Sequence, residues 1–156
     1  MNTEQKNRST ILIVDDSEMN REMLAEILKD DYDTIEAADG KEAIAAIKAH
    51  ENEIDLVLLD IVMPEMDGFE VLALMNRYKW IDSIPVIMIS AEGDFSFIKK
   101  AYDLGVTDYI QRPYQSYPIH RRIDNTLMLY NKQKRLLNIV EEQVYAKEKE
   151  NRTMIN

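Results

Sequence analysis

Three stretches of the chain are apolar at every position, and they constrain the fold more than any other feature. They read ILIV at residues 11–14, LVLL within residues 55–59 and VIMI within residues 85–89. A strand that faces water on one side alternates apolar and polar residues, so an unbroken run indicates a strand covered on both faces. Such strands are typical of a parallel sheet packed between two layers of helices.

Two further apolar runs complete a set of five candidate strands: a weak one at residues 32–37 and another at residues 106–110. The segments between them carry helical patterns, the last one, at residues 94–104, being the weakest. Apolar residues recur at steps of three and four in the first three of these segments: Met19, Met23, Leu24, Ile27 and Leu28; Ala43, Ile44 and Ile47; Phe69, Leu72 and Met75. The order βαβαβαβαβα with right-handed crossovers predicts an α/β, doubly wound, flavodoxin-like (βα)5 three-layer sandwich with parallel strand order 2-1-3-4-5.

The end of the chain has a different pattern. From residue 117 onward there is no glycine, and the single proline, Pro118, is acceptable in a first helical turn. Residues from Ile119 to Met154 at alternating steps of three and four form a heptad seam with polar interruptions. We therefore expect an extended C-terminal helix of about 38 residues, roughly 57 Å long. The alternative is a final helix that ends near Leu129, followed by a charged unstructured tail.

The predicted elements divide the chain into three parts. We expect a disordered tail at residues 1–9, one domain at residues 10–130, and a helical linker or coiled-coil stalk at residues 131–156, with no output domain after it. The seam through Leu137, Val140 and Val144 predicts a parallel homodimer, and Asn151 at a seam position would help to set its register.

Acidic residues follow two strands that are neighbours in the predicted sheet. Asp15 and Asp16 come directly after the first strand, and Asp60 comes directly after the third. The carboxyl ends of these strands border the crevice where such sheets bind ligands. Three carboxylates so close together repel one another and require a cation, and hard oxygen ligands with room for water and phosphate suit Mg²⁺. The alternative is that these aspartates only cap the helices that follow.

A hydroxyl and a cation join the same edge of the sheet. The fourth strand ends in Ser90, and Arg112 follows the fifth strand. A carboxylate nucleophile, a metal site, a hydroxyl donor and a positive side chain together suit the uptake of a phosphoryl group. The sequence therefore predicts that Asp60 is phosphorylated and that Ser90 and Arg112 share the charge of the phosphoryl group.

The segments ILIVDDS, LVLLDIVMPEMDGFEVL, PVIMISAEGD and GVTDYIQRPY resemble, in this order, the signatures of response-regulator receiver domains. The similarity covers about residues 10–130. It implies a cytoplasmic switch of two-component signal transduction, which accepts a phosphoryl group from a sensor histidine kinase or a phosphotransfer protein. It also implies no enzymatic activity beyond self-phosphorylation and self-dephosphorylation.

The resemblance assigns roles to the acidic residues. Asp60 is the implied phosphoacceptor. Asp15 and Asp16 are the implied Mg²⁺ ligands, together with Asp60 and the backbone carbonyl of Val62.

The same resemblance implies a switch. Ser90 is the implied catalytic and switch hydroxyl, and Tyr109 is the implied aromatic side chain that changes rotamer. Pro64 and Gly68 are implied to shape the loop after the acceptor. The alternative is that Tyr109 is an ordinary packed aromatic residue and that Pro64 and Gly68 are ordinary turn residues.

Arg112 departs from the family pattern, which has lysine at this position. A guanidinium is planar and forked, whereas an ammonium is a compact point charge. Two orientations are open at the level of sequence: Arg112 grips the phosphoryl group, or it points outward and leaves the site without its counter-ion. The second orientation corresponds to an alternative function, a degenerate phosphate-independent receiver that acts as an interaction or dimerisation module.

Composition and individual residues argue against several other classes of function. The net charge of −10 argues against direct binding of nucleic acid, and the apolar runs are too short to span a membrane. With no cysteine, disulfides and thiolate metal sites are excluded. A phosphatase of the haloacid dehalogenase type needs a second aspartate two residues after its nucleophile, where this chain has Val62. The run LLNIVEEQVYAKEKENRTMIN is similar to linkers that join receivers to HD-type phosphohydrolase or cyclic-dinucleotide enzyme domains.

Overall fold

The five strands form one parallel sheet in the order β2-β1-β3-β4-β5. The computed structural model describes residues 8–91 and 95–155. The strands are β1 Thr10–Val14, β2 Asp33–Ala37, β3 Ile54–Asp60, β4 Val86–Ser90 and β5 Asp108–Gln111. The helices are α1 Glu18–Leu28, α2 Gly40–Ala49, α3 Gly68–Arg77, α4 Phe95–Asp103 and α5 Ser116–Ile155, with a short 3₁₀ helix at Trp80–Asp82. The predicted doubly wound fold and extended C-terminal helix are confirmed.

Helices cover both faces of the sheet, which explains why the central strands do not alternate apolar and polar residues. Every residue of β1 is buried. Ile11 and Ile13 belong to the core under α1 and α5, whereas Leu12 and Val14 belong to the core under α2, α3 and α4. Burial of each such side chain contributes about 1.5–3 kcal/mol relative to exposure, so a polar substitution on either face of β1 would weaken a core.

The observed strand boundaries differ from the predicted ones by one or two residues, for identifiable reasons. The N–H of Tyr32 donates to the carbonyl of Leu28, so this residue completes the end of α1 instead of starting β2. The N–H of Val106 likewise donates to Ala101 at the end of α4, which delays the start of β5. Asp60 is paired with Ile89 and is therefore the last residue of β3, not the first one after it.

The apolar stripe predicted for α1 is only half buried. Ser17 caps this helix by accepting a hydrogen bond from the N–H of Asn20. Leu24 and Leu28 are fully buried, but Met19 is 72% exposed and Met23 is 43% exposed. The first turns of α1 follow the end of β1 at the carboxyl edge of the sheet, where the strand beneath them has ended.

Helix α5 has two parts in one continuous helix of 40 residues. Ile119, Ile123 and Leu127 are buried against the sheet, whereas residues 131–154 are all exposed. The alternative in which the helix ends near Leu129 is therefore wrong. None of the described helices combines the length and the apolar character that crossing a bilayer would require.

Some predicted features fall where the structure is not described. Most of the predicted tail at residues 1–9 lies outside the described residues, which begin at Arg8. Asp94, the predicted start of the fourth helix, also lies outside them.

Candidate functional site

Three carboxylates meet at the carboxyl edge of the sheet, as the order of the strands predicts. One oxygen from each of Asp15, Asp16 and Asp60 lies within 4.8 Å of the others. Asp15 is fully buried and Asp60 is 4% exposed, whereas Asp16 is exposed. Charges of the same sign at this separation repel one another, so the cluster attracts a cation.

Arg112 supplies a positive charge to this cluster. Its Nη2 donates to Oδ2 of Asp15 at 2.6 Å and to Oδ2 of Asp60 at 3.3 Å. Its backbone N–H donates to the carbonyl of Ser90 at 3.0 Å, which places the residue after β5 beside the end of β4. Of the two orientations left open by the sequence, the guanidinium takes the inward one.

Tyr114, for which the sequence predicted no role, also contacts the guanidinium. Nε of Arg112 donates to Oη of Tyr114 at 2.9 Å, and the guanidinium carbon lies 5.8 Å from the centre of that ring. Burial raises the pKa of Tyr114, so the phenol keeps its proton and its oxygen accepts the hydrogen bond. In the sequence, this contact is indicated only by the position of Tyr114, two residues after Arg112.

Opposing influences act on the protonation of Asp60. Burial, followed by the charge of Asp15, raises its pKa to about 6, although Arg112 and the N–H of Val62 oppose this rise. That N–H donates to Oδ1 of Asp60 at 3.3 Å. Both carboxylate oxygens are thus engaged, and the group is largely ionised at neutral pH.

The loop after β3 passes close to the backbone of Asp60. A Cβ on Gly68 would lie 2.5 Å from the backbone oxygen of Asp60, so only glycine fits at the start of α3. The N–H of Gly68 also donates to the carbonyl of Ile61 at 2.9 Å. Pro64 is exposed in the same loop. The role predicted for Gly68 therefore has a steric basis.

Local hydrogen bonds hold Asp15 in place. Its Oδ1 accepts from the N–H of Ser17 at 2.9 Å, and its carbonyl accepts from Nη1 of Arg21 at 2.8 Å. Nε of Arg21 in turn pairs with Glu36 on β2 at 3.3 Å. The turn after β1 is thus tied to both α1 and β2, which orients the buried carboxylate before any ligand binds.

A cavity of about 370 Å³ borders Asp60. Its walls include the predicted site residues Asp16, Asp60, Val62, Ser90 and Arg112, and also residues that were not predicted: Ser17, Asn20, Ala91 and Phe97. Tyr109 is half-buried on β5 and does not line this cavity; it packs against the core under α2, α3 and α4.

Known proteins are similar to most of this chain. The family model of the response regulator receiver domain matches residues 11–124. The chemotaxis protein CheY of Bacillus subtilis is 39% identical over 120 residues, which cover 75% of this chain and 96% of that protein. A crystal structure of the CheX-CheY-BeF3-Mg+2 complex from Borrelia burgdorferi aligns with a TM-score of 0.70 and 36% identity, over 76% of this chain and 88% of that one.

Longer relatives match only in part. A probable cyclic di-GMP phosphodiesterase of Vibrio cholerae is 37% identical over 113 residues, which cover 72% of this chain but 25% of that protein. The chain also spans only between 8% and 54% of the length of several other curated relatives. The chain therefore belongs to the response regulator receiver domain family, the phosphorylation-dependent switches of two-component signal transduction.

Proposed function

We propose that Asp60 accepts the phosphoryl group that sets this switch. The observation that carries the proposal is the juxtaposition of Asp60, Ser90 and Arg112 around one cavity, with the guanidinium turned toward the acceptor. An outward arginine would have favoured a phosphate-independent receiver. The inward orientation supports phosphorylation instead.

The chemistry follows from these groups. An ionised oxygen of Asp60 forms a bond to phosphorus as the bond from phosphorus to an imidazole nitrogen of the donor breaks. Arg112 then pairs with a phosphoryl oxygen, and the hydroxyl of Ser90 donates to another. The new group carries more negative charge than the carboxylate that it replaces, which favours repacking around Ser90 and Tyr109. Val62 in the cavity wall cannot move a proton, so we propose that the receiver turns over only its own phosphoryl group.

Asp15, Asp16 and Asp60 fit a divalent cation. Three carboxylates and one guanidinium leave two net negative charges in the cluster. All the side-chain donors are hard oxygens, the ligand type that Mg²⁺ prefers. We propose that these three residues and the backbone carbonyl of Val62 hold Mg²⁺, which when bound would neutralise charge on the phosphoryl oxygens.

Replacing both Asp15 and Asp16 with alanine is expected to abolish saturable binding of Mg²⁺. The natural site has few protein ligands, so we expect a dissociation constant on the order of millimolar. Amide NMR shifts during a Mg²⁺ titration measure the effect. A control with Glu22→Ala and Glu26→Ala removes the same charge from exposed positions of α1 and should bind normally. Equal affinities in the two double variants would refute the assigned ligands.

Replacing Asp60 with asparagine is expected to eliminate phosphorylation, because an amide oxygen is a poor nucleophile and cannot form the acyl phosphate. Wild type and Asp60→Asn are incubated with acetyl phosphate and Mg²⁺, and intact masses are compared. Wild type should gain the mass of one phosphoryl group. Equal incorporation in both proteins would contradict the assignment of the acceptor.

Exposed apolar side chains near the site support docking of a protein donor. Met19, Met23 and Val62 are 72%, 43% and 68% exposed. We propose that a sensor histidine kinase or a phosphotransfer protein contacts these side chains. A cytoplasmic location fits this donor, since its phosphoryl group comes from ATP.

The end of the chain supports a second part of the proposal. We propose that residues 10–130 form the receiver and that residues 131–156 form a stalk that pairs with a second copy in parallel. Leu137, Val140 and Val144 are 61%, 54% and 51% exposed on the described helix. They follow the heptad spacing, and pairing would remove this apolar stripe from water.

The full chain is therefore expected to dimerise, whereas a chain ending at Tyr130 should stay monomeric. Sedimentation velocity at several concentrations, with and without a phosphoryl mimic, measures the difference. A full-length variant with Leu137→Glu and Val144→Glu should also be monomeric, because it places charge in the seam. A wild type that stays monomeric in every condition would refute the paired stalk.

A further inference from the structure

Arg112 borders two cavities. One is the cavity that Asp60 also lines. The other is a groove of about 440 Å³, bordered by Asn20, Met23, Pro113 and Tyr114 as well as Arg112. An arginine side chain has many rotamers, so something must select the one that faces the acceptor.

Two kinds of contact select that rotamer. The first is the pair of ionic hydrogen bonds from Nη2 to Asp15 and Asp60. The second is the hydrogen bond from Nε to the hydroxyl of Tyr114. Transfer to Asp60 converts one of the carboxylates into an acyl phosphate and so changes the first contact. The bond to Tyr114 does not depend on that change.

The position of the phenol is itself fixed by packing. Tyr114 packs against the core under α1 and α5, and it is partly buried. A rigid ring with two rotatable bonds presents its hydroxyl at a defined point at low entropic cost. The side chain of lysine has a methylene group where arginine has Nε, so lysine at position 112 has no donor at this point of its side chain.

We infer that Tyr114 is a positioning residue, whose hydroxyl holds the Arg112 guanidinium facing Asp60. This inference rests on the proposed function, because the expected consequence of the positioning is faster transfer of the phosphoryl group to Asp60. The phenol of Tyr114 and the guanidinium of Arg112 act together: the phenol keeps the guanidinium in the cavity throughout the reaction.

A double-mutant cycle tests this pair in the full chain. The proteins are wild type, Tyr114→Phe, Arg112→Lys and the variant with both changes; phenylalanine keeps the ring and removes only the hydroxyl. Phosphorylation by acetyl phosphate with Mg²⁺ should be roughly three- to tenfold slower in Tyr114→Phe than in wild type, the size expected for one charged hydrogen bond in part exposed to solvent. In the Arg112→Lys background the same change should leave the rate unaltered.

A second readout is independent of phosphorylation. The Nε–H of Arg112 should give a slowly exchanging NMR signal in wild type, and Tyr114→Phe should remove its protection from exchange. If wild type is not phosphorylated at all, the proposed function fails, while this signal still decides whether Tyr114 orients Arg112. An unchanged Nε–H signal overturns the inference, as does an unchanged phosphorylation rate. An equal loss of rate in both backgrounds also overturns it, because the phenol would then act through packing alone.

Discussion

Replacing Arg112 with alanine is expected to destabilise the metal-free protein by roughly 3–5 kcal/mol at neutral pH. Asp15 is fully buried and Asp60 is 4% exposed, and both accept hydrogen bonds from this guanidinium. Without it, two carboxylates of the same charge would share a buried site. Urea unfolding in the presence of a chelator measures the loss.

The control is Arg121→Ala, which removes the same charge from an exposed position of α5. It should change stability by less than about 0.5 kcal/mol. Mg²⁺ should recover part of the loss in Arg112→Ala, because a ligand that binds only the folded protein stabilises it by mass action. A loss below about 1 kcal/mol for Arg112→Ala would show that the guanidinium does not neutralise the buried carboxylates.

Replacing Asp60 with asparagine is expected to have the opposite effect on stability. The pKa of Asp60 in the folded protein is about 6, above its ordinary value of 3.8, because burial and Asp15 disfavour its charge. The folded protein therefore carries a penalty that grows between pH 3.8 and about 6 and is complete above pH 6. Asp60→Asn removes this charge and should stabilise the metal-free protein by roughly 2–3 kcal/mol at pH 7.

The pH dependence gives the sign of this effect. As pH falls from about 7 to about 4, the folded protein takes up a proton at Asp60 before the unfolded chain does, so wild type regains stability from this group. The advantage of Asp60→Asn should therefore shrink toward zero over the same range. Urea midpoints of both proteins at several pH values measure it. An advantage that stays constant with pH, or grows as pH falls, would contradict the raised pKa.

The acidic cluster was predictable because it depends only on strand order. Continuous apolar runs identify buried strands, and parallel strands bring their carboxyl ends to one edge, so Asp15 and Asp60 had to meet there. No other long-range information was needed. The exact start of β5 was not predictable, because it depends on the hydrogen bond between Val106 and Ala101.

The orientation of Arg112 was not predictable, because it depends on contacts among three separate strand ends. The carbonyl of Ser90 anchors its backbone, and Asp15 and Tyr114 anchor its side chain. The helical spacing of apolar residues in α1 also could not show that Met19 remains exposed. That spacing does not indicate where β1, the strand beneath this helix, ends. For α5 it predicted a continuous helix, but a heptad seam does not identify its partner.

Locating the phosphoryl group on the chain decides whether Asp60 is the acceptor. Wild type is phosphorylated with acetyl phosphate and Mg²⁺, the acyl phosphate is reduced with borohydride, and the digested peptides are sequenced by mass spectrometry. Reduction converts a phosphorylated aspartate into homoserine, which marks its position permanently. We predict homoserine at position 60, dependent on Mg²⁺. Homoserine at Asp15 or Asp16 instead, or none at any aspartate of a protein that binds Mg²⁺, would contradict the assignment.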